Sequence, residues 1–288
     1  MTDFPVRDKV VFLTGAAGGI GRATAQALHA RGARVVLTDL RQEDVDRVAA
    51  SLGADRTLAL AADVTDRASL DAAVAAAVER FGGIDVVFAN AGIAADPPCT
   101  IAAIDEDVFE HVVDVDLLGV WRTVKAALPQ VIARRGHVLV VASAYAFVNG
   151  MANAPYAVSK AGAEMFGRSL RAELSSTGAT AGVLYPGWVD TAIAKVAFGG
   201  NPIVTRLRER AMPGPLGQAI RPEEVAQAAL AGIERRAARV IVPKRWAALS
   251  VLRGIVNPLL DRKIEGDRTL QALVGELDAA ARAAREPR

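Results

Sequence analysis

Tyr156 and Lys160, in the run Tyr156-Ala157-Val158-Ser159-Lys160, carry the first chemical signal of this chain. On a helix, an i, i+4 separation puts the phenol and the ammonium on one face, one turn apart. A phenol with a pKa of about 10 is a poor base at neutral pH, and a fixed cation beside it favours the phenolate. General acid–base chemistry gains as that pKa approaches the working pH. Ser143 stands just past a β-branched run, where a hydroxyl can hydrogen-bond a carbonyl or alkoxide oxygen. Taken alone, the same spacing also fits an amphipathic helix with a core tyrosine and a surface lysine.

A second signal lies near the start, where Thr14-Gly15-Ala16-Ala17-Gly18-Gly19-Ile20-Gly21 follows the apolar run Val10-Val11-Phe12-Leu13. Missing side chains in such a turn let a pyrophosphate approach backbone N–H groups at a helix N-terminus. Asp39 ends the next β-branched run, about 20 residues on, where a carboxylate can bind the adenosine ribose hydroxyls. An acid there repels a 2′-phosphate and so favours NAD over NADP, with Arg22 and Arg41 near enough in sequence to soften the preference. The alternative is a glycine loop that serves only tight helix–sheet packing.

These residues need a scaffold. Short β-branched runs at 10–13, 34–38, 57–61, 84–88, 137–142, 180–184 and 239–242 alternate with Ala-rich segments of helical period. The helical segments begin near Gly19, Glu43, Ser69, Asp105, Ala154 and Pro222, with Ser69 as a cap and Pro222 in a first turn. The pattern predicts an α/β fold, a doubly wound Rossmann-type parallel sheet of about seven strands with helices on both faces. It divides the chain into a dinucleotide-binding and catalytic domain over 1–243 and a helical extension over 244–288. Regular alternation breaks over 191–220, where Gly199-Gly200-Asn201-Pro202 and Pro213-Gly214-Pro215 punctuate an insertion after the sixth strand, the expected substrate lid. In the extension, an apolar run through Leu260 is interrupted by Arg253 and Pro258. Such a face can cover an oily pocket, pack on another subunit or, the least favoured of the three, rest on an anionic membrane surface.

Composition excludes several classes. With 288 residues, 52% of them apolar, the chain can bury one sizeable core, and a net charge of +2 supplies no field for nucleic acid. The single cysteine, Cys99, allows no intramolecular disulfide and fits a reducing, cytoplasmic setting. The three histidines, His29, His111 and His137, have no Ser or Asp arranged around them and are expected to be structural or surface residues; no metal site is expected. No G-x-S-x-G elbow supports a hydrolase. No apolar run approaches the roughly 20 residues of a membrane span, and the first strand begins too early to leave room for a signal peptide, so a soluble protein is expected. Trp188, directly after Pro186-Gly187, fits a pocket wall or the core equally.

In order and spacing these motifs resemble the short-chain dehydrogenase/reductase family over nearly all of residues 7–243. The matching positions are the turn with Gly15, Ala17, Gly19, Ile20 and Gly21; Asp63-Val64 beside the adenine; Asn90-Ala91-Gly92 after the fourth strand; Ser143, Tyr156 and Lys160; and Pro186-Gly187, followed by Val189 and Thr191 where the family binds the nicotinamide carboxamide. The resemblance implies that Tyr156 exchanges the proton, Ser143 holds the substrate oxygen, and Lys160 binds the nicotinamide ribose and lowers the pKa of Tyr156. It implies hydride transfer between NAD(H) and a secondary alcohol or ketone, lipophilic if the extension and lid cover it. Homodimers or homotetramers would form through the helices after the fourth and fifth strands. Rival readings are a non-catalytic dinucleotide-binding regulator, which would show a broken Ser/Tyr/Lys set, and an isomerase or lyase on the same fold. One position departs from the family. Within Asp114-Val115-Asp116-Leu117-Leu118-Gly119 the family commonly has an asparagine that orients a proton-relaying water, and this chain has Asp116. A carboxylate accepts the same hydrogen bonds and adds a negative charge near Lys160, so Asp116 is expected to act in the relay with an altered pH dependence. The other reading is an internal polar group satisfied by backbone.

Overall fold

Each β-branched run becomes a strand. In the computed structural model, which describes residues 4–195, 201–212 and 214–283, β1 (Val10–Thr14), β2 (Arg34–Asp39), β3 (Thr57–Ala61), β4 (Val86–Ala89), β5 (His137–Val141), β6 (Thr180–Pro186) and β7 (Arg239–Val242) form one sheet. Its order is β3-β2-β1-β4-β5-β6-β7, with every neighbouring pair parallel. The order reverses between β1 and β4, and the crevice beyond the carboxyl ends at that reversal is where such sheets bind ligands. The doubly wound Rossmann-type expectation is met. Gly199, Gly200 and Pro213 of the expected lid, and residues 284–288 of the expected extension, lie outside the described residues.

Alternation along the strands assigns each side chain to a layer. Val11, Leu13, Val35 and Leu37 face one core, closed by Leu28 of α1 (Gly19–Ala30), Val45 and Val48 of α2 (Gln42–Leu52) and Val225, Leu230 and Ile233 of α9 (Pro222–Glu234). Val10, Phe12 and Val36 face the other. That side is closed by Val74 and Phe81 of α3 (Arg67–Phe81), Val124 and Val131 of α5 (Gly119–Ala133) and Ala163 and Leu170 of α6 (Ala154–Glu173). Ser69 does not open its helix. Asp66 caps α3 by accepting from the Ala68 N–H at 2.9 Å, and the Ser69 hydroxyl accepts from the Asp63 N–H at 3.0 Å. An aspartate three residues before the expected cap starts the helix earlier and lengthens it toward its N-terminus.

Between α4 (Glu106–Val113) and α5 the helix widens into a π-helical turn, Asp114–Leu118, which contains Asp116. After β6 come the short α7 (Ala192–Ala194) and α8 (Pro202–Ala211). A parallel bridge of Val189 with Ile220 ties the ends of this excursion together. The chain ends in α10 (Ala247–Gly266) and α11 (Arg268–Ala283). Helix α11 lays Leu270, Leu273 and Leu277 in one cluster with Val204 and Leu207 of α8. Helix α10 is amphipathic with its faces reversed: Ser250 is buried, Arg253 and Asn257 are partly so, and Val251, Leu252, Ile255 and Leu259 are exposed. No helix among the described residues is long and apolar enough to cross a membrane.

Candidate active site

A cavity of about 960 Å³ runs along the carboxyl ends of the strands. At one end stands the glycine turn. Gly15 has φ of +65°, and a Cβ there would sit 2.8 Å from the Ala91 Cα, so both the conformation and the space require glycine. Gly18, Gly19, Ile20 and Gly21 also line the cavity, and no side chain caps the start of α1, so its first N–H groups are free to meet an anion. Asp39 is held rigidly at the end of β2: its Oδ2 accepts from the Ala17 N–H at 2.9 Å and its Oδ1 from the Leu40 N–H at 2.8 Å. Arg41, the neighbouring cation, is tied to Asp44 at 2.7 Å. Asn90 donates from Nδ2 to the carbonyls of Thr14 and Gly15, both at 3.1 Å, and so stitches β4 to the turn. Asp63 folds over Thr65, and Val64 is buried beside Gly119. These donors and spaces fit a dinucleotide.

At the centre of the cavity the catalytic candidates meet. Ser143, 6% exposed, lies just past β5 and accepts from the Tyr145 N–H at 3.1 Å. Its hydroxyl neighbours the phenol of Tyr156 and lowers that phenol's pKa, and α6 presents Tyr156 one turn before Lys160. The Lys160 Nζ lies 5.3 Å from the centre of the Tyr156 ring and 3.0 Å from Asp116 Oδ2. Asp116, fully buried in the π turn, accepts at Oδ1 from the Ile93 N–H at 2.7 Å. It therefore has both partners that the two readings of the sequence offered, a backbone donor and the lysine. Gly92 belongs to this group as much as to the cofactor end, because a Cβ there would come within 3.0 Å of Asp116 Oδ2 and 3.1 Å of Lys160 Nζ.

Burial raises the Asp116 carboxyl above the usual carboxylate range, although Lys160 and the Ile93 N–H pull it down. Burial pulls Lys160 down, but Asp116 and Tyr156 outweigh it and leave the ammonium held above its ordinary value. Burial raises the Tyr156 phenol; Lys160 and Ser143 oppose that, and Asp116 adds to it. Proton affinity at the phenol is thus set by a chain of four groups, Ser143, Tyr156, Lys160 and Asp116.

Pro186, Gly187, Val189 and Thr191 line the far wall. Trp188 is both core and wall: it is 7% exposed, borders the cavity, and stacks edge-on with Tyr145, whose ring in turn meets Tyr156 at 5.6 Å. Tyr145, Asn153 and Trp246 also line the cavity and were missed as site residues in the sequence. No spacing rule marks them, because each reaches the cavity from a separate loop or turn. Cys99 is buried against Ala103 and Ala281, and His137 is buried with its Nδ1 2.8 Å from the Thr180 hydroxyl, its pKa lowered to about 3 by burial.

A family model described as short chain dehydrogenase matches residues 9–200. The chain belongs to that family. This short-chain dehydrogenase is 36% identical over 224 residues to the cis-4-hydroxycyclohexanecarboxylate dehydrogenase of Sinomonas cyclohexanicum, covering 77% of this chain and 87% of that protein. Among solved structures, levodione reductase superposes with a TM-score of 0.75 at 28% identity, over 84% of this chain and 99% of that one. A 3-ketoacyl-(acyl-carrier-protein) reductase from Brucella melitensis, complexed with NADH, gives 0.73 at 27% identity, over 82% and 97%. The match to the family model ends at residue 200. Helices α10 and α11 of this short-chain dehydrogenase lie beyond it.

Proposed function

We propose that this oxidoreductase moves a hydride between NAD(H) and a secondary alcohol or ketone with a largely apolar body, Tyr156 serving as the general acid and base. The observation that carries the reading is the buried chain from Ser143 through Tyr156 and Lys160 to Asp116, set in the wall of the cavity that also holds the glycine turn. Bound NAD supplies the hydride acceptor. In the oxidation, the carbinol O–H proton passes to Tyr156 as the carbinol C–H bond breaks and the carbonyl forms, with Ser143 holding the oxygen throughout. Burial alone would leave the phenol too basic to lose its proton, so the Lys160 cation is indispensable. Gly15, Ala17, Gly19, Ile20 and Gly21 would hold the pyrophosphate, Asp39 the adenosine ribose, Asp63 and Val64 the adenine, and Asn90, Gly92, Pro186, Gly187, Val189 and Thr191 the nicotinamide end. The rigidly held Asp39 carboxylate, with Arg41 turned to Asp44, supports NAD over NADP.

Residues 191–220 serve as the substrate lid, and α10 and α11 form an extension that backs it. The relative that acts on a hydroxycyclohexane supports a cyclic secondary alcohol as substrate. Exposed Leu118 at the end of the π turn, Trp121 and Ile132 on α5, and Val158 and Met165 on α6 support a homodimer or homotetramer built on those helices. A panel of secondary alcohols and ketones, followed at the nicotinamide absorbance band, tests the reading. Tyr156→Phe is expected to lower kcat roughly 10³-fold. Turnover that survives in that variant would refute the role of Tyr156.

A further inference from the structure

Asn153 opens α6 three residues before Tyr156 and fails to do what an asparagine at a helix start ordinarily does. Such a side chain accepts from the N–H of the second or third helical residue. Here it makes no capping bond, and its Oδ1 and Nδ2 are both buried without a partner. The residue is 2% exposed and lines the cavity together with Ser143, Tyr145, Val148 and Tyr156. The residue before it, Ala152, adopts φ of +65°, a left-handed conformation that an alanine takes only under constraint. The backbone is thus bent at some cost, and the amide it delivers has neither donor nor acceptor paired. An unpaired buried amide is costlier than an average hydrogen bond is favourable, so the arrangement makes sense when a ligand in the cavity provides the missing partner.

We propose that Asn153 binds a second oxygen function of the substrate, an inference that rests on the alcohol–ketone reading above. Nδ2 donates to a hydroxyl or carbonyl oxygen, and Oδ1 accepts from a hydroxyl. The second function is uncharged: of the residues lining the cavity around Asn153, Ser143, Tyr145, Val148 and Trp188 carry no positive charge, Lys160 is already committed to Asp116, and Arg208, 5.8 Å from the centre of the Trp188 ring, does not line the cavity. The substrate class is therefore a diol, hydroxyketone or dione on an apolar frame.

The test compares kcat/KM for cyclohexanol, cyclohexane-1,2-diol, cyclohexane-1,4-diol and 4-hydroxycyclohexanecarboxylate in the parent, Asn153→Leu and Asn153→Asp. The parent is expected to favour one diol over cyclohexanol at least about tenfold. Leucine should cut that ratio by about 10- to 100-fold, and aspartate, which keeps an acceptor and loses the donor, should cut it less. Because each ratio is taken within one variant, a general loss of folded enzyme cancels. A parent ratio near one, a ratio unmoved by leucine, or a preference for the carboxylate over both diols overturns the proposal. If the parent turns over none of the four, the dehydrogenase reading fails instead. Asn153 is then judged from thermal shifts of the NAD-bound protein, where equal shifts with diol and cyclohexanol overturn it.

Discussion

The two ends of the cavity are built in different ways. At the glycine-turn end, where the pyrophosphate and adenosine ribose would sit, the working groups are backbone N–H groups and the Asp39 carboxylate, delivered by a single β1–α1–β2 passage. At the substrate end they are side chains from distant segments: Tyr145 after β5, Asn153 at the start of α6, Trp188 after β6 and Trp246 after β7. That end is braced from still farther away. Arg253 of α10 holds Glu164 of α6 through two bonds, at 2.7 and 2.9 Å, and reaches the Ala146 carbonyl at 3.2 Å; Asn257 donates to the Phe147 carbonyl at 2.9 Å. A local, backbone-made site is fixed by short-range pattern. A side-chain-made site depends on packing among elements that are neighbours only in the fold.

The sharpest way to break this contrast is at the glycine turn, where the Asp39 side chain stands among backbone groups. Asp39→Ser removes a carboxylate acceptor and its charge while leaving the glycine turn in place. The kcat/KM for NAD should fall about 10- to 100-fold, and the preference over NADP should shrink or reverse. Steady-state kinetics with both cofactors check it. An unchanged ratio would mean that the backbone alone selects the cofactor.

The same contrast explains what could be read from the sequence. All seven strands were legible because buried parallel strands are short β-branched runs, and the glycine turn and Asp39 because a βαβ unit fixes their separation. Ser143, Tyr156 and Lys160 were legible as a set. The π turn that buries Asp116 was not, since nothing in Asp114–Leu118 distinguishes it from ordinary helix. Which face of α10 turns inward was not legible either: its apolar run left a pocket cover, a subunit contact and a membrane face open, and only the fold shows Arg253 and Asn257 finding partners inside while Ile255 and Val251 stay about 70% exposed. Asn153 gave no signal because an asparagine before a helix reads as a cap.

A smaller effect is expected where the extension braces the substrate end. Arg253→Met leaves the nearly buried Glu164 with only Arg168, at 3.7 Å, and should destabilise the fold by about 2 kcal/mol. Thermal melting measures that loss. The informative readout is the division of its effects: KM for the alcohol should rise while the dissociation constant of NADH stays within about twofold, because the contacts of Arg253 lie at the substrate end. Equal damage to both constants would mean that the two ends are not independently supported.

The smallest effect, and the most specific, concerns Asp116, where the two ends meet. Replacement by asparagine keeps an acceptor for the Ile93 N–H and deletes the charge. Asp116 is among the causes that raise Tyr156, so its loss lowers the phenol's proton affinity as long as Lys160 stays charged. Alcohol oxidation requires the phenolate, and the acid limb of its pH–rate profile should therefore move to lower pH. Asp116 also holds Lys160 protonated against burial, so a limb that moves to higher pH would show the lysine discharging once its anion is gone. Superimposable profiles would mean that the carboxylate does not reach Tyr156 electrostatically, leaving its backbone bond as the sole function of the buried acid. The direction of one pH limb thus decides whether the carboxylate tunes the catalytic tyrosine directly or through the lysine.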